Sequence, residues 1–253
     1  MILAIDIGNS NIVFGIYSES KWQHVWRIQT DANKTADEYE VIFSSLLTNG
    51  NFRKDQIHKI VLSSVVPSLN REFKIMSARL SEAPLLIVSP EIYNQLPINI
   101  LNPFEIGTDL VANATAAYSH FGQLCMVIDF GTALTFTTIS DDGTIIGAAI
   151  APGLRTAVKA LSGNTAQLPV VELTVPPSVL GTNTVHAIQS GIIIGYSGLV
   201  DRIIEKTILA VNKKIKIVAT GGLSGIFASQ CPGIDHIDEN LTLEGLRIIG
   251  TLV

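Results

Sequence analysis

Charge is scarce in this chain. Asp, Glu, Lys and Arg make up only 15% of its 253 residues, and the net charge is −5. No run of Lys or Arg exceeds two residues, so the basic surface that nucleic-acid binding needs is not expected. Cysteine is scarcer still: Cys125 and Cys231 are too few for a disulfide framework. Cys125 falls inside an apolar run and reads as a small core residue rather than a nucleophile. Long hydrophobic runs are missing too. Stretches such as Ile145 to Leu154 fall well short of the roughly 18–20 residues of a membrane span. Asp6 interrupts the N-terminal apolar run, which has no basic leader, so neither a signal peptide nor a membrane partner is expected and the chain is placed in the cytosol. No Walker A loop, Gly-x-Gly-x-x-Gly, His-Glu-x-x-His or paired Cys-x-x-Cys occurs, which removes the familiar nucleotide-loop and zinc signatures. The five histidines are scattered; His186 reads as a helix-start or surface residue.

What is abundant is apolar: 47% of the residues, enough for a well-packed core in one large or two modest domains. One stretch organises the rest. Leu124 to Phe136 runs from five apolar residues through Asp129-Phe130-Gly131-Thr132 into more β-formers, the pattern of strand, tight turn and strand. Alone it reads either as an Asp/Gly hairpin turn or as a turn whose N–H groups cradle a phosphate beside a cation-binding carboxylate. The first residues repeat its grammar. Asp6-Ile7-Gly8-Asn9-Ser10-Asn11-Ile12-Val13 again puts an acid, an apolar residue, a glycine and a small polar residue between two β-rich runs. A repeat of this period predicts a duplicated domain rather than a solenoid, with two acid-bearing turns presented across one cleft.

Between these turns the chain alternates strand and helix, as in an α/β layer architecture. Lys21 to Thr30 is strand-like. Thr35 and Glu38 form a capping box ahead of Tyr39, Ile42, Phe43, Leu46 and Leu47 at helical spacing, and Asn49-Gly50 stops that helix. A strand over Ile57 to Val65, a helix over Leu69 to Leu80 and a short strand from Leu85 come next. Pro103 and Gly107 mark a loop, and a helix begins at Asp109. Asp109, or Thr108 before it, reads either as the cap of that helix or as a carboxylate held ready to accept a proton. In the second half, a strand over Thr144 to Ile150 is broken by Pro152-Gly153. A helix over Leu154 to Leu161 and an extended proline-rich stretch, Leu168 to Pro177, succeed it. Gly181-Thr182-Asn183-Thr184 opens a long helix rich in small residues. Ile215 to Thr220 is a strand ending in Gly221-Gly222, which is either a plain αβ loop or a place for close approach of a ligand. A closing helix starts at Leu241.

Taken in order, Asp6-Ile-Gly-Asn-Ser-Asn, Gly107-Thr-Asp, Asp129-Phe-Gly-Thr-Ala-Leu-Thr, Pro152-Gly153, Leu168-Pro169, Gly181-Thr-Asn-Thr184, Gly221-Gly222 and Leu241-Thr-Leu-Glu-Gly-Leu resemble the type III pantothenate kinases, a family of the acetate/sugar kinase–Hsp70–actin superfamily. The resemblance spans essentially the whole chain. It implies an α/β fold of duplicated actin-like (ribonuclease H-like) domains, about 1–115 and 116–253, with an ATP cleft between them. It also implies a homodimer and ATP-dependent phosphorylation of pantothenate to 4′-phosphopantothenate, the first step of coenzyme A biosynthesis. Carried over residue by residue, Asp6, Ile7, Gly8, Asn9, Ser10, Asn11, Ile12 and Val13 would bind ATP, with Asp6 near Mg²⁺. Thr132, Gly221 and Gly222 would also meet ATP. Gly107, Thr108, Asp109, Leu110 and Thr184 would meet pantothenate, Asp109 would be the catalytic base, and Asp129 would hold a monovalent cation, K⁺ or NH₄⁺.

Two positions depart from the family pattern. Leu110 stands where the family has an arginine, which would pair with the acceptor's carboxylate, and Ile100 falls where a tyrosine is common. Two alternatives therefore stand beside the kinase reading: a non-catalytic nucleotide-binding accessory protein of the same fold, and a kinase for a different small acceptor.

Overall fold

The computed structural model describes residues 1–227 and 229–253. The chain divides into two compact units, residues 1–120 with 241–253, and residues 121–240. This differs from a simple split after residue 115, because the closing helix returns to the first unit.

The first unit holds a five-stranded sheet in the order β3-β2-β1-β4-β5. β1 (Ile2–Ile7), β2 (Asn11–Ser18) and β3 (Lys21–Gln29) form an antiparallel meander, and β4 (Lys59–Ser64) and β5 (Leu85–Ile87) extend it in parallel with β1. Leu3, Ala4 and Ile5 are all fully buried, so both faces of β1 are covered. That is why its sequence is a continuous apolar run and does not alternate. One face packs on α1 (Ala36–Asn49) and α2 (Asn70–Leu80) through Tyr39, Phe43, Leu47, Phe73 and Met76. The capping box forms as expected. The Glu38 N–H donates to Thr35 Oγ1, and Glu38 Oε2 accepts from the Thr35 N–H at 2.9 Å, an arrangement worth about 1 kcal/mol. α7 (Leu241–Leu252) also packs on β1 and β4. It approaches so closely that a Cβ on Gly250 would strike Val61, which accounts for a glycine inside that helix.

The second unit repeats the plan. Its sheet order is β10-β9-β6-β7-β8. β6 (Cys125–Phe130), β7 (Ala133–Ile139) and β8 (Ile145–Pro152) form the meander, and β9 (Lys216–Thr220) and β10 (His236–Ile237) continue it in parallel with β6. Its core joins Met126, Ile128 and Phe130 to α4 (Leu154–Gly163), α5 (Thr184–Val211) and the single turn α6 (Ser224–Phe227). α5 begins at the N-cap Asn183, whose side chain accepts from the His186 N–H at 2.9 Å, and ends at Asn212 with φ 50°. His186 thus serves the helix start, and Cys125 and Cys231 are both fully buried. Burial pushes the Cys125 thiol up to about 12, as befits a core residue.

The proline-rich stretch 164–183 carries no helix or strand. No helix among the described residues is long and apolar enough to cross a membrane.

Candidate active site

In the first unit three parallel strands finish along one edge, where ligands bind in open α/β sheets. β1 ends in the turn Gly8–Asn11, closed by the Gly8 N–H donating to the Asn11 carbonyl at 3.0 Å. Thr30 braces it from the end of β3. Its hydroxyl donates to the Gly8 carbonyl at 2.6 Å, and its N–H donates to the Ser10 carbonyl. Asn9 and Ser10 are exposed at the tip, whereas the side chains of Ile7 and Ile12 are fully buried.

β4 ends beside β1, with Asp6 in register with Ser63 and Ile7 with Ser64. This strand end anchors the loop before α3 (Thr108–Phe121). Thr108 Oγ1 accepts from the Ser64 N–H at 3.1 Å, donates to the Ser64 carbonyl at 3.2 Å and lies 2.9 Å from Ser63 Oγ. The Thr108 hydroxyl is therefore a latch to β4. Nothing in the local sequence announces it, because its partners lie 44 and 45 residues away.

The latch fixes Asp109 at the first turn of α3. Asp109 is half-buried, and its Oδ1 accepts from the Leu110 N–H at 2.8 Å. Burial raises its carboxyl above the ordinary 3.8, while hydrogen bonds from the backbone N–H groups of Leu110 and of Asp109 itself pull the other way. A carboxylate desolvated in this way holds a proton more tightly than an exposed one, which suits it to accept one from an alcohol. Gly107 makes room for it, since a Cβ there would collide with Asp109 Oδ1. Asp6, Gly107, Thr108 and Asp109 are thus brought to one strand edge.

The second unit gathers its own set. β6 ends in Asp129-Phe130, and the turn after it is closed by the Gly131 N–H donating to the Ala133 carbonyl at 3.1 Å. The Thr132 carbonyl accepts from the Gly153 N–H at 3.0 Å and from Thr156 Oγ1 at 2.8 Å. The Pro152-Gly153 break therefore has a task, which is to hold this turn. Gly221 comes directly after β9 with φ 90°, and a Cβ on it would lie 2.7 Å from Asp129 Oδ1 and 2.8 Å from the Phe130 backbone. Only glycine combines that conformation with that approach. Asp129, Thr132, Gly221 and Gly222 thus share one strand edge, and Asp129 is in register with Thr220. Thr184 is the first residue of α5 and is exposed. Leu110 is half-buried and offers no polar side-chain group.

Sequence reading missed several residues here. The Ser63, Ser64 and Thr156 contacts are long-range, with no local signature. Two surface hollows of the first unit, about 600 Å³ beside Phe52 and Arg53 and about 390 Å³ beside Thr30 and Lys34, contain none of the expected site residues.

Comparison with known proteins identifies the family. The chain is 42% identical over 249 residues to a type III pantothenate kinase of Brevibacillus brevis, covering 98% of each protein. It is 42% identical over 250 residues to that of Syntrophobacter fumaroxidans, covering 98% of this chain and 97% of the relative. Among solved structures, an inorganic polyphosphate/ATP-glucomannokinase from Arthrobacter sp. strain KM superposes with a TM-score of 0.54 at 15% identity, over 99% of this chain and 98% of that one. That likeness shows the fold, one of duplicated actin-like domains. The sequence profile of the type III pantothenate kinases matches residues 2–206, and with the near-full-length relatives it shows that the chain belongs to the type III pantothenate kinase family.

Proposed function

We propose that this protein transfers the γ-phosphoryl group of ATP to the primary hydroxyl of pantothenate, giving 4′-phosphopantothenate for coenzyme A synthesis. Family membership gives the reaction class. The single observation that carries the assignment of the base is the desolvated Asp109 carboxylate, latched to the end of β4 in the same strand edge as Asp6.

Phosphoryl transfer asks for alignment and charge neutralisation more than covalent help. In this reading the Asp6–Val13 turn contributes backbone and polar side chains to the ATP phosphates, and Asp6 offers a carboxylate to the Mg²⁺ they carry. Among the described residues no cluster of three His, Cys, Asp or Glu could hold a metal, so most of that ion's ligands would be phosphate oxygens and water. Thr132 and the Gly221-Gly222 pair meet the nucleotide, the latter near adenosine. Asp109 aligns the acceptor hydroxyl and takes its proton, and Gly107, Thr108, Leu110 and Thr184 border the acceptor.

A monovalent cation, K⁺ or NH₄⁺, fits at Asp129. Thr220 lies in register beside it, and Thr220 Oγ1 is buried with no hydrogen-bond partner. A carboxylate with a neighbouring unpaired hydroxyl is an oxygen donor set of the kind hard cations take. The cation would supply positive charge near the phosphates.

Homodimerisation is supported by apolar exposure on the second unit. β8 is the open edge of its sheet, with Ile150 70% exposed, and Val170 and Leu180 in the irregular stretch are 67% and 78% exposed. Edge strands and apolar patches of this kind are normally covered. A cytosolic setting completes this reading.

A second reading, a kinase for another small acceptor, draws on Leu110, which cannot pair with a carboxylate. One experiment separates them: ATP turnover across a panel of alcohols, with Mg²⁺ and either K⁺, NH₄⁺ or Na⁺. Turnover with pantothenate that needs K⁺ or NH₄⁺ supports the first reading. Turnover with a different alcohol alone supports the second, and ATP binding without any acceptor turnover would return the accessory-protein reading.

A further inference from the structure

Thr30 follows β3 directly and gives both of its donors to the turn after β1. Its hydroxyl donates to the Gly8 carbonyl at 2.6 Å, and its N–H to the Ser10 carbonyl at 3.1 Å. A trans peptide is planar, with its C=O and N–H pointing to opposite sides. Holding the Gly8 carbonyl against Thr30 therefore turns the N–H of the exposed Asn9 away from β3. By the strand order that is the side of β1 and β4, where the end of β4 latches Thr108 ahead of Asp109. Thr30 is itself firmly held. Before it, Gln29 pairs in register with Asn11. After it, the Asp31 N–H donates to Tyr39 Oη at 3.2 Å, and Tyr39 Oη donates to the Asp31 carbonyl at 2.8 Å. Tyr39 is fully buried in the core between α1 and the sheet, so the brace is continuous with that core. The second unit has the same device, since Thr156 Oγ1 donates at 2.8 Å to the Thr132 carbonyl in the turn after β6. One threonine comes from a strand end and the other from the first turn of α4. The contact thus recurs at both acid-bearing turns although the elements supplying it differ.

We propose that Thr30 is a positioning residue for ATP: its hydroxyl fixes the Gly8–Asn9 peptide so that the Asn9 N–H donates to a phosphate oxygen of the nucleotide. The proposal rests on the reading of the Asp6–Val13 turn as the phosphate site. Thr30 does not touch the nucleotide itself. Gly8 is required where it stands, because a Cβ on it would lie 3.0 Å from the Asn11 carbonyl. Glycine also leaves the peptide after it free to rotate, and the Thr30 hydroxyl removes that freedom. Without the hydroxyl the peptide would have to be ordered as the phosphate binds, and that cost falls on nucleotide affinity. Binding of the acceptor, which meets the Gly107–Leu110 loop in the same reading, is left alone.

The test compares Thr30→Val, which keeps the branched shape and removes only the hydroxyl, with Thr30→Ser, which keeps the hydroxyl. For Thr30→Val the expected result is a KM for ATP raised about fivefold to tenfold, as for loss of one neutral hydrogen bond. The KM for pantothenate and kcat at saturating ATP stay at their wild-type values. Thr30→Ser returns the ATP KM to the wild-type value. An unchanged ATP KM in Thr30→Val overturns the proposal. So does a rise in both KM values with a fall in Tm, which would mark Thr30 as a packing residue, and so does a Thr30→Ser variant as impaired as Thr30→Val. Asp6→Asn, in the same turn, examines the underlying reading separately. If Asp6→Asn raises the ATP KM and Thr30→Val does not, the proposal alone fails. If Asp6→Asn leaves the ATP KM unchanged, the phosphate-turn reading fails and the proposal fails with it.

Discussion

The two acid-bearing turns end equivalent strands of equivalent sheets, yet each is built into its unit differently. Each acid lies in register with a hydroxyl residue on the neighbouring parallel strand, Asp6 with Ser63 and Asp129 with Thr220. In the first unit that hydroxyl is occupied: Ser63 lies 2.9 Å from Thr108 and helps fix the loop that carries Asp109. In the second unit Thr220 Oγ1 has no hydrogen-bond partner, and Gly221 presses against Asp129 instead. The same backbone device has thus been specialised through the segments that succeed the parallel strands. After β5 a turn and a loop lead to a third carboxylate. After β9 a Gly-Gly step leads to a single helical turn. In the proposed reading one edge moves a proton and the other holds a cation.

The largest effect that would break this comparison is at Asp109. Asp109→Asn is expected to lower kcat by about 10²-fold or more, measured as 4′-phosphopantothenate formed per second. The same substitution should not destabilise the protein at neutral pH. A carboxyl whose folded pKa is raised contributes stability that is fully present below its unfolded value and is lost as pH rises through the folded value. Asp109→Asn should therefore have the higher Tm at pH 7–8, with the advantage vanishing below pH about 4. By the same direction, the acid limb of kcat/KM should lie above the ordinary 3.8.

Next in size are the two turn acids, which should fail in different ways. Asp6→Asn is expected to raise the KM for Mg-ATP about tenfold or more with little change in cation response, as loss of a charged metal contact implies. Asp129→Asn should shift the K⁺ activation curve to higher concentration by a similar factor. Identical responses in a two-dimensional titration of Mg-ATP against K⁺ would show that the turns are not specialised. Gly221→Ala comes third. A side chain at φ 90° against Asp129 and the Phe130 backbone should cost about 1–3 kcal/mol, a fall of several degrees in Tm, together with weaker K⁺ activation. The smallest is Leu110→Arg, which should lower the pantothenate KM a few-fold if it restores a partner for the acceptor's carboxylate. An unchanged KM would mean that another group holds that carboxylate.

Much of this was legible in the sequence because it is local. The doubled Asp-x-Gly grammar located both turns. The Thr35–Glu38 box located the start of α1, and the loop-to-helix step located Asp109. What could not be read there is what comes together from afar. Helix 241–252 packs on β1 and β4 across nearly the whole chain, so the expected boundary near residue 115 does not describe the compact units. Thr108 reads locally as a candidate cap, but its hydroxyl is taken by Ser63 and Ser64. Gly107 and Gly221 read as turn residues, yet what fixes them is the carboxyl of Asp109 in one case and of Asp129 in the other.

The most direct test of the account is mass-spectrometric detection of 4′-phosphopantothenate formed from ATP and pantothenate, with Mg²⁺ and K⁺, by the wild-type protein and by Asp109→Asn side by side. The account predicts steady product from the wild type and at least a hundredfold less from the variant. Equal product from the two, or none from the wild type, would contradict it.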